Sequence, residues 1–421
     1  MASVLFVHQS FPAQFEHLAK SLAACGHYDV HSMGLIHKSH PVAGVCHHPY
    51  QMLCAPSSTL PLASAQELSI IMAASALRCA SHLKKNGLEV DLIIAHASWG
   101  EATFLKQVWP KCKILLYLEY YHTLHGGELG NVPDFMSDSA AELQAHAKNA
   151  NLLLNLQNAD HCLTPTPFQK RLIPAEYHCK TTVIHDGIRS EAAKPLDVEN
   201  KRSLLEIRNL KLSLDGKKLI TYVSRTLEPM RGFHTLMRCL PYLMSQEIAA
   251  HVVIVGSKLG HGYSGRRSDG RTWLEAMTDE IDLYDSPWKD RVSIVGEIPY
   301  SDYLLLLQHS DCHVYLTYPF VASWSLLEAM SVACPIVASN TPPVSDFITD
   351  GYNGRLVDLY DHQDLANTII ETITNVDDST SMGRAARHII DRNYSLRTCL
   401  PKQLDLIAQM LSGCNNHCNA C

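Results

Sequence analysis

Short runs of residues that are apolar throughout, spaced by stretches of helical periodicity, constrain this chain more than any other feature. Ser3–Val7, Val90–Ala95, Lys113–Leu118 and Thr181–Ile184 make a first series. Leu219–Val223, His251–Val255, Arg291–Val295, Cys312–Leu316 and Pro335–Ala338 make a second. A strand with one wet face alternates, whereas a strand covered by helices on both faces is apolar at successive positions. Helical segments fit between the runs at Phe15–Ala24, from about Gly100, and at Gly232–Met244, Tyr300–His309 and Ser325–Ala333. This is the pattern of a parallel α/β architecture. Two such series predict two doubly wound units in tandem, residues 1–195 and 196–395, with a seam near residues 186–215. The stretch Asn200–Lys218 reads as a charged, Lys-rich helix and Ser257–Gly270 as a mobile Gly-rich loop.

Composition removes several function classes. Uninterrupted apolar runs such as Ile114–Leu118 are five residues long, against about 20 for a membrane helix. The start, Met1-Ala-Ser-Val-Leu-Phe-Val-His8, reads as a first strand, not a signal peptide. Lys+Arg number 35 and Asp+Glu 42, a net charge of −7. That balance argues against a surface built to grip a nucleic-acid backbone. Of 14 cysteines, Cys79, Cys112, Cys162, Cys239, Cys312 and Cys334 stand alone in apolar segments and read as reduced, core-packed thiols. Cys414, His417, Cys418 and Cys421 offer zinc-type ligands, but in a compact spacing without a second half. They read as a terminus with adventitious metal affinity. Several of the 24 histidines are expected to titrate between pH 5 and 8.

In parallel α/β proteins ligands bind at the carboxyl ends of strands, where helix N-termini point outward. Tyr318-Pro-Phe-Val321-Ala322-Ser323-Trp324-Ser325-Leu-Leu-Glu328 follows one such strand. The amides of Ala322, Ser323 and Trp324 would face a phosphate, and Glu328, one turn into the helix, would accept from a ribose diol. The plainer alternative is a capped core helix with Glu328 on a solvated face. Arg225 and Arg231 follow another strand and would neutralise a diphosphate. The alternative there is a pair of surface arginines bound to Glu228. In the first series His8-Gln9, His96-Ala-Ser-Trp99-Gly100-Glu101 and Glu119-Tyr120-Tyr121-His122 follow three strands of one sheet. No Gly-x-Gly-x-x-Gly follows the first strand, and neither a Walker motif nor a Gly-x-Ser-x-Gly elbow occurs. A nicotinamide or flavin is therefore not expected.

Taken together, Phe6-Val-His8-Gln9-x-Phe-Pro12, His96-x-x-Trp99-Gly100-Glu101, Ile184-His185-Asp186-Gly187-Ile188, Arg225-x-Leu-Glu228-Pro-x-Arg231-Gly232 and Tyr315-Leu-Thr-Tyr-Pro-Phe-x-x-Ser-Trp-Ser-Leu-Leu-Glu328-Ala-Met resemble the family 4 glycosyltransferases. The nearest likeness is to a bacterial branch with the Trp-Gly-Glu and Tyr-Pro-Phe variants, and it covers all but about the last ten residues. The resemblance implies a GT-B fold, two Rossmann-like domains facing a central cleft, with the last helix, near Ser395–Leu411, crossing back to the N-terminal domain. It implies transfer of a sugar from a nucleotide-diphosphate donor, a UDP-sugar first among them, to a hydroxyl of a saccharide or lipid-linked glycan. Transfer would be retaining and metal-independent, with no cofactor required. Arg225 and Arg231 take the places of the family's diphosphate-holding Arg and Lys, with one extra residue between them. Glu328 falls on the ribose-gripping second Glu of a Glu-x7-Glu motif, and the first Glu is replaced by Phe320. Val321, Ala322, Ser323, Trp324 and Ser325 would line the donor. His96, Glu119 and His122 compete for the family's strand-end histidine beside donor sugar and acceptor.

Two alternatives stand beside this reading. One is a catalytically silent nucleotide-sugar-binding partner subunit, suggested by Phe320. The other is transfer to a modified DNA base, against which the acidic charge counts despite Arg266-Arg267. The expected location is cytoplasmic, free or peripheral at the inner face of the membrane.

Overall fold

The computed structural model describes residues 1–123, 127, 139–197, 203–208, 210–246, 248–259, 262–264 and 267–413. The Cys414/His417/Cys418/Cys421 tail and Arg266 lie outside the described residues. The chain forms two compact units, one of residues 1–186 and 399 onward, the other of residues 187–398.

The first unit contains β1 (Ala2–Val7), α1 (Glu16–Ala24), β2 (Tyr28–Leu35), β3 (Cys46–Tyr50), α2 (Pro61–Lys85), β4 (Leu92–His96) and α3 (Leu105–Val108). β5 (Lys113–Tyr117), α4 (Ser139–Asn158), β6 (His161–Thr164), α5 (Pro167–Leu172) and β7 (Thr181–Val183) complete it. The sheet runs β3-β2-β1-β4-β5-β6-β7, parallel throughout. Alternate residues of each strand enter opposite cores, which is why the runs are apolar at every position. Leu5, Val7, Ile93 and Ala95 pack with Met72, Ala76 and Ala80 of α2. Val4, Phe6, Leu92 and Ile94 pack on the other face with Leu18 and Leu22 of α1 and with Cys399, Ile407 and Met410. Each of the large side chains contributes about 1.5–3 kcal/mol by its burial.

The second unit contains β8 (Leu204–Ile207), β9 (Leu210–Ser213), β10 (Lys218–Thr226), α6 (Phe233–Ser245), β11 (Ala250–Ser257), α7 (Trp273–Glu280), β12 (Val292–Gly296) and α8 (Tyr300–His309). β13 (Cys312–Tyr315), α9 (Trp324–Ser331), β14 (Ile336–Ser339), α10 (Pro342–Ser345), β15 (Arg355–Val357), α11 (His362–Thr374) and α12 (Val376–Ile389) follow. Its parallel sheet runs β12-β11-β10-β13-β14-β15. This is the order of a dinucleotide-type fold, with its switch point between β10 and β13. The last helix, α13 (Leu396–Ser412), starts where Ile188 pairs with Ser395. Its later residues belong to the first unit, where Gln403 Nε2 donates to His185 O at 3.0 Å.

Two expectations are corrected. The charged stretch after residue 200 is not helical over residues 204–213 but an antiparallel hairpin, β8–β9. Leu205, Ile207 and Leu212 are buried between exposed neighbours, a period of two that a count of lysines hides. From Gly100 the chain makes turns before the single turn of α3, because Gly100 sits at φ +103° against Ser69 of α2, a backbone no helix adopts. Cys112, Cys162, Cys239, Cys312 and Cys334 are buried and reduced, and Cys79 is half-buried. No helix among the described residues is long and apolar enough to cross a membrane.

Candidate functional site

In the second unit the candidate groups gather at the switch point. Gly232 has φ +68°, and a Cβ there would stand 2.2 Å from Leu316 Cβ, so only glycine fits between Arg231 and α6. The turn aims the Arg231 guanidinium across the strand ends. Its Nη1 donates to Val321 O at 2.8 Å and to Thr317 Oγ1 at 3.2 Å. Tyr222 Oη donates to Arg231 O at 2.6 Å and fixes the backbone. The guanidinium lies 5.5 Å from the Phe320 ring and 5.6 Å from the Tyr263 ring. These two rings are 4.7 Å apart. Phe320 and Tyr263 thus form an adjoining pair of rings on one side of the cation.

Arg225 is exposed at the end of β10, where the register with β11 shifts. Glu228 does not tie up the two arginines. It is buried, accepts from Ser264 N at 2.6 Å, and its carboxyl is pushed up by burial. It anchors residues 262–264, the described centre of the Gly-rich loop expected to be mobile, and Ser264 Oγ accepts from Met230 N at 3.0 Å. Arg267, at the edge of that loop, pairs with Asp269 and covers Trp273.

The segment before α9 differs in part from expectation. Ser323 caps the helix by accepting from Ser325 N at 3.3 Å, and its own amide donates to Tyr315 Oη at 2.7 Å. The amides of Ser323 and Ser325 are thus committed within the segment instead of facing a ligand. Val321 gives its carbonyl to Arg231, Ala322 packs on the core and Trp324 is exposed. Glu328 does not sit on a solvated helix face. Its carboxylate accepts from Tyr300 Oη at 2.7 Å and Tyr303 Oη at 2.9 Å, both on α8. Burial raises its pKa, and the two phenols and Arg189 oppose that rise. Arg189 lies 5.0 Å from the Tyr300 ring. Beyond the carboxyl ends of β11 and β12 lies a cavity of about 920 Å³, lined among others by Arg208, Lys258, Val295 and Glu297. Thr317, Tyr263, Tyr300, Tyr303, Arg208 and Lys258 carried no local motif. Their position after or beside strand ends was the only available signal.

In the first unit the switch point lies between β1 and β4. His8 and His96, at the ends of these strands, meet edge to face at 5.1 Å. His8 Nδ1 accepts from Ser10 N at 2.9 Å and His96 Nδ1 from Ser98 N at 3.2 Å. Both rings therefore carry their proton on Nε2, which in His96 faces Glu119 Oε2 at 3.4 Å. Burial, and then electrostatic interaction with His96, push His8 down to about 2, so it stays neutral. Trp99 stacks on His96 at 5.8 Å and is 39% exposed. Tyr117 packs on His96 at 5.5 Å and donates to Asp186 Oδ1 at 2.9 Å. Glu101 is buried, takes the Tyr50 hydroxyl at 3.1 Å and has its carboxyl raised by burial. Of the three competing residues, His96 and Glu119 are brought together. His122 is held elsewhere, with its backbone on Asn149 of α4 and its ring against Tyr120.

The two Rossmann-like units with ionic groups at their switch points define the GT-B class of glycosyltransferase, and comparison with known proteins agrees. Residues 29–193 match the family model "Glycosyl transferase family 4 group", and residues 206–389 match "Glycosyl transferases group 1". Together these models take in most of the chain, and the chain belongs to the glycosyltransferases, a family of transferase enzymes. It is 24% identical over 220 residues to spore coat protein SA of Bacillus subtilis, covering 51% of this chain and 55% of that one. It is 35% identical over 228 residues to a poly(ribitol-phosphate) alpha-N-acetylglucosaminyltransferase of Staphylococcus aureus, covering 53% and 43%. These matches span about half the length of the relatives. Among solved structures, sucrose-phosphate synthase from Thermosynechococcus elongatus superposes with TM-score 0.73 at 19% identity, over 98% of this chain and 100% of that one. HepE of Anabaena in complex with UDP-glucose gives 0.66 at 15% identity, over 97% and 100%.

Proposed function

We propose that the protein transfers a sugar from a nucleotide-diphosphate donor, a UDP-sugar first among candidates, to a hydroxyl of a saccharide or lipid-linked glycan. Configuration is retained at the anomeric carbon, and no metal or other cofactor takes part in the transfer. The observation that carries this reading is Arg231, a cation aimed across the switch point of the second sheet. In the proposed reaction Arg225 and Arg231 balance the charge that develops on the diphosphate as its bond to the sugar breaks. Glu328 accepts from the ribose hydroxyls, exchanging one or both tyrosine phenols for the diol. The cavity beside Arg208 and Lys258 takes the rest of the nucleotide. UDP-glucose bound by a neighbour of the same fold supports the donor class.

On the acceptor side His96, oriented by Ser98 and Glu119, serves the reacting hydroxyls, and the exposed face of Trp99 stacks on a sugar ring. Attack comes from the face the diphosphate leaves, and the departing diphosphate takes the acceptor proton. The protein contributes position and charge, with no covalent intermediate. The α-linkage in the name of the Staphylococcus relative is compatible with retention.

Phe320 favours a second reading, a silent nucleotide-sugar binder, because a ring stands where the related motif has a carboxylate. Turnover separates the two. Purified protein given a panel of nucleotide sugars and glycan acceptors releases nucleotide and a product whose anomeric configuration matches the donor. Glu328→Ala raises the donor KM with a smaller change in kcat. Nucleotide binding without turnover for any donor supports the silent binder, and an unchanged KM in Glu328→Ala refutes the ribose role.

A further inference from the structure

The outer edge of the first sheet carries a group of ligating side chains that glycosyl transfer does not use. β2 and β3 pair in parallel with His31 opposite Cys46 and Met33 opposite His48. Side chains alternate along a strand, so Cys46 and His48 share one face while His47 turns to the other. There His47 bonds Ser32 and Ser39 and stacks on Phe11. The register therefore places two imidazoles and a thiol side by side on one face at the sheet margin.

Their geometry is close to that of a coordination sphere. His31 Nδ1 and His48 Nε2 are 3.0 Å apart, and one ring nitrogen of each histidine lies with Cys46 Sγ in a group of atoms all within 4.8 Å of one another. A tetrahedral zinc ion with bonds of about 2.0–2.1 Å to nitrogen needs a nitrogen–nitrogen spacing of about 3.3 Å, only a few tenths more than is present. The rings are nearly coplanar, 14° between planes and 5.3 Å between centroids, so the two nitrogens face each other across a hydrogen bond, and a metal would displace its proton and turn the rings. His31 is buried, and its other nitrogen, Nε2, lies 3.0 Å from Asp29 Oδ2 but makes no hydrogen bond. An open cavity of about 490 Å³ is lined by His31, His47 and His48 together with Cys79, His82 and Leu83 of α2. It has room for water as a fourth ligand.

We propose that His31, Cys46 and His48 form a binding site for a single divalent transition-metal ion of the zinc type, separate from the glycosyl-transfer residues. Two imidazoles and a thiolate are intermediate-to-soft donors, which select zinc and its neighbours over magnesium or calcium. On binding, the thiol of Cys46 releases its proton to solvent, and the proton between the two rings passes to the other nitrogen of its own imidazole, which stays neutral. The metal then ties the edge strand β3 to β2 and raises the stability of the first unit by mass action.

Cobalt(II) is the probe, because a cobalt–thiolate bond gives a charge-transfer band in the near ultraviolet and tetrahedral sites give intense visible bands. The full chain is used with Cys414, Cys418 and Cys421 changed to serine, so that the tail supplies no thiolate. The expected result is one equivalent of cobalt bound with the thiolate band, displaced by zinc, and a thermal midpoint that rises with zinc. Cys46→Ser in that background abolishes the band, and His48→Asn weakens binding at least tenfold. Both positions are at or near the surface, and circular dichroism confirms that these variants fold. Failure of the tail-substituted protein to bind cobalt overturns the proposal, as does a spectrum that Cys46→Ser and His48→Asn leave unchanged.

Discussion

Replacing Arg231 separates a structural cation from a functional one. Arg231→Ala removes the hydrogen bonds to Val321 O and Thr317 Oγ1. Hydrogen bonds from a charged group are worth about 1.5–3 kcal/mol. Its contacts with the Tyr263 and Phe320 rings add about 0.5–1 kcal/mol each at a partly open site. Summed, two such hydrogen bonds and two ring contacts come to about 4–8 kcal/mol, an upper limit because the contributions of one side chain are not additive, against a total stability of about 5–15 kcal/mol. The reaction should suffer separately. Losing one preorganised group that stabilises charge in the transition state costs about 2.7–4 kcal/mol, or about 10²–10³ in kcat. Arg231→Lys restores the charge but cannot span Val321, Thr317 and the two rings with one ammonium, so it should fall between alanine and wild type. The assay is nucleotide release against donor concentration at saturating acceptor, paired with urea unfolding of each variant. Folded Arg231→Ala with kcat within threefold of wild type would refute the diphosphate role and leave Arg231 as a clamp on residues 317–321.

Gly232→Ala combines a left-handed φ, costing about 1–2 kcal/mol for a side-chain residue, with overpacking against Leu316 of about 1–3 kcal/mol. It should lower the urea midpoint sharply, and a loss under 0.5 kcal/mol contradicts the geometry. Burial raises the Glu101 carboxyl, so the folded state holds that proton more tightly than the unfolded chain. Its stabilising share is present at low pH and is lost as pH rises through the folded pKa. Glu101→Gln should therefore gain stability relative to wild type as pH rises, and parallel pH profiles from unfolding curves would rule this out. Buried histidines act in the opposite sense. Burial takes His313 to about 3 and His185 to about 4, and burial followed by electrostatic interaction with His96 takes His8 to about 2. The unfolded chain takes up their protons first, so stability present above about pH 6.5 falls as pH drops below it. Between pH 7.5 and 5.5 each should cost about 1.4 kcal/mol. A urea midpoint independent of pH over that span, in wild type against His313→Asn, would remove His313 from this set.

The two sheets are legible in the sequence wherever strands are buried on both faces, because apolar residues dominate there and polar exceptions such as Thr221 and His313 are few. Strands with polar side chains escape that reading. β2 carries Asp29, His31, Ser32 and Gly34, and β3 reads Cys46-His-His-Pro-Tyr50. The hairpin β8–β9 is hidden by its charged outer positions. The same distinction governs the site. Arg231 and Glu328 declare themselves by following strands, but their partners do not. Tyr303 and Tyr300 reach Glu328 from 25 and 28 residues away, and His31 meets His48 across 17 residues only through the register of parallel strands. Phe320 shows what this difference means. In sequence it is a lost carboxylate and nothing more. In the structure its ring stands 5.5 Å from the Arg231 guanidinium, beside Tyr263. A carboxylate at that distance would offset part of the charge of Arg231, whereas a ring holds the guanidinium in place and leaves its full charge for an anionic ligand. Under the proposed function, a ring at this position would remove a polar contact to the donor sugar while preserving the charge that would face the diphosphate.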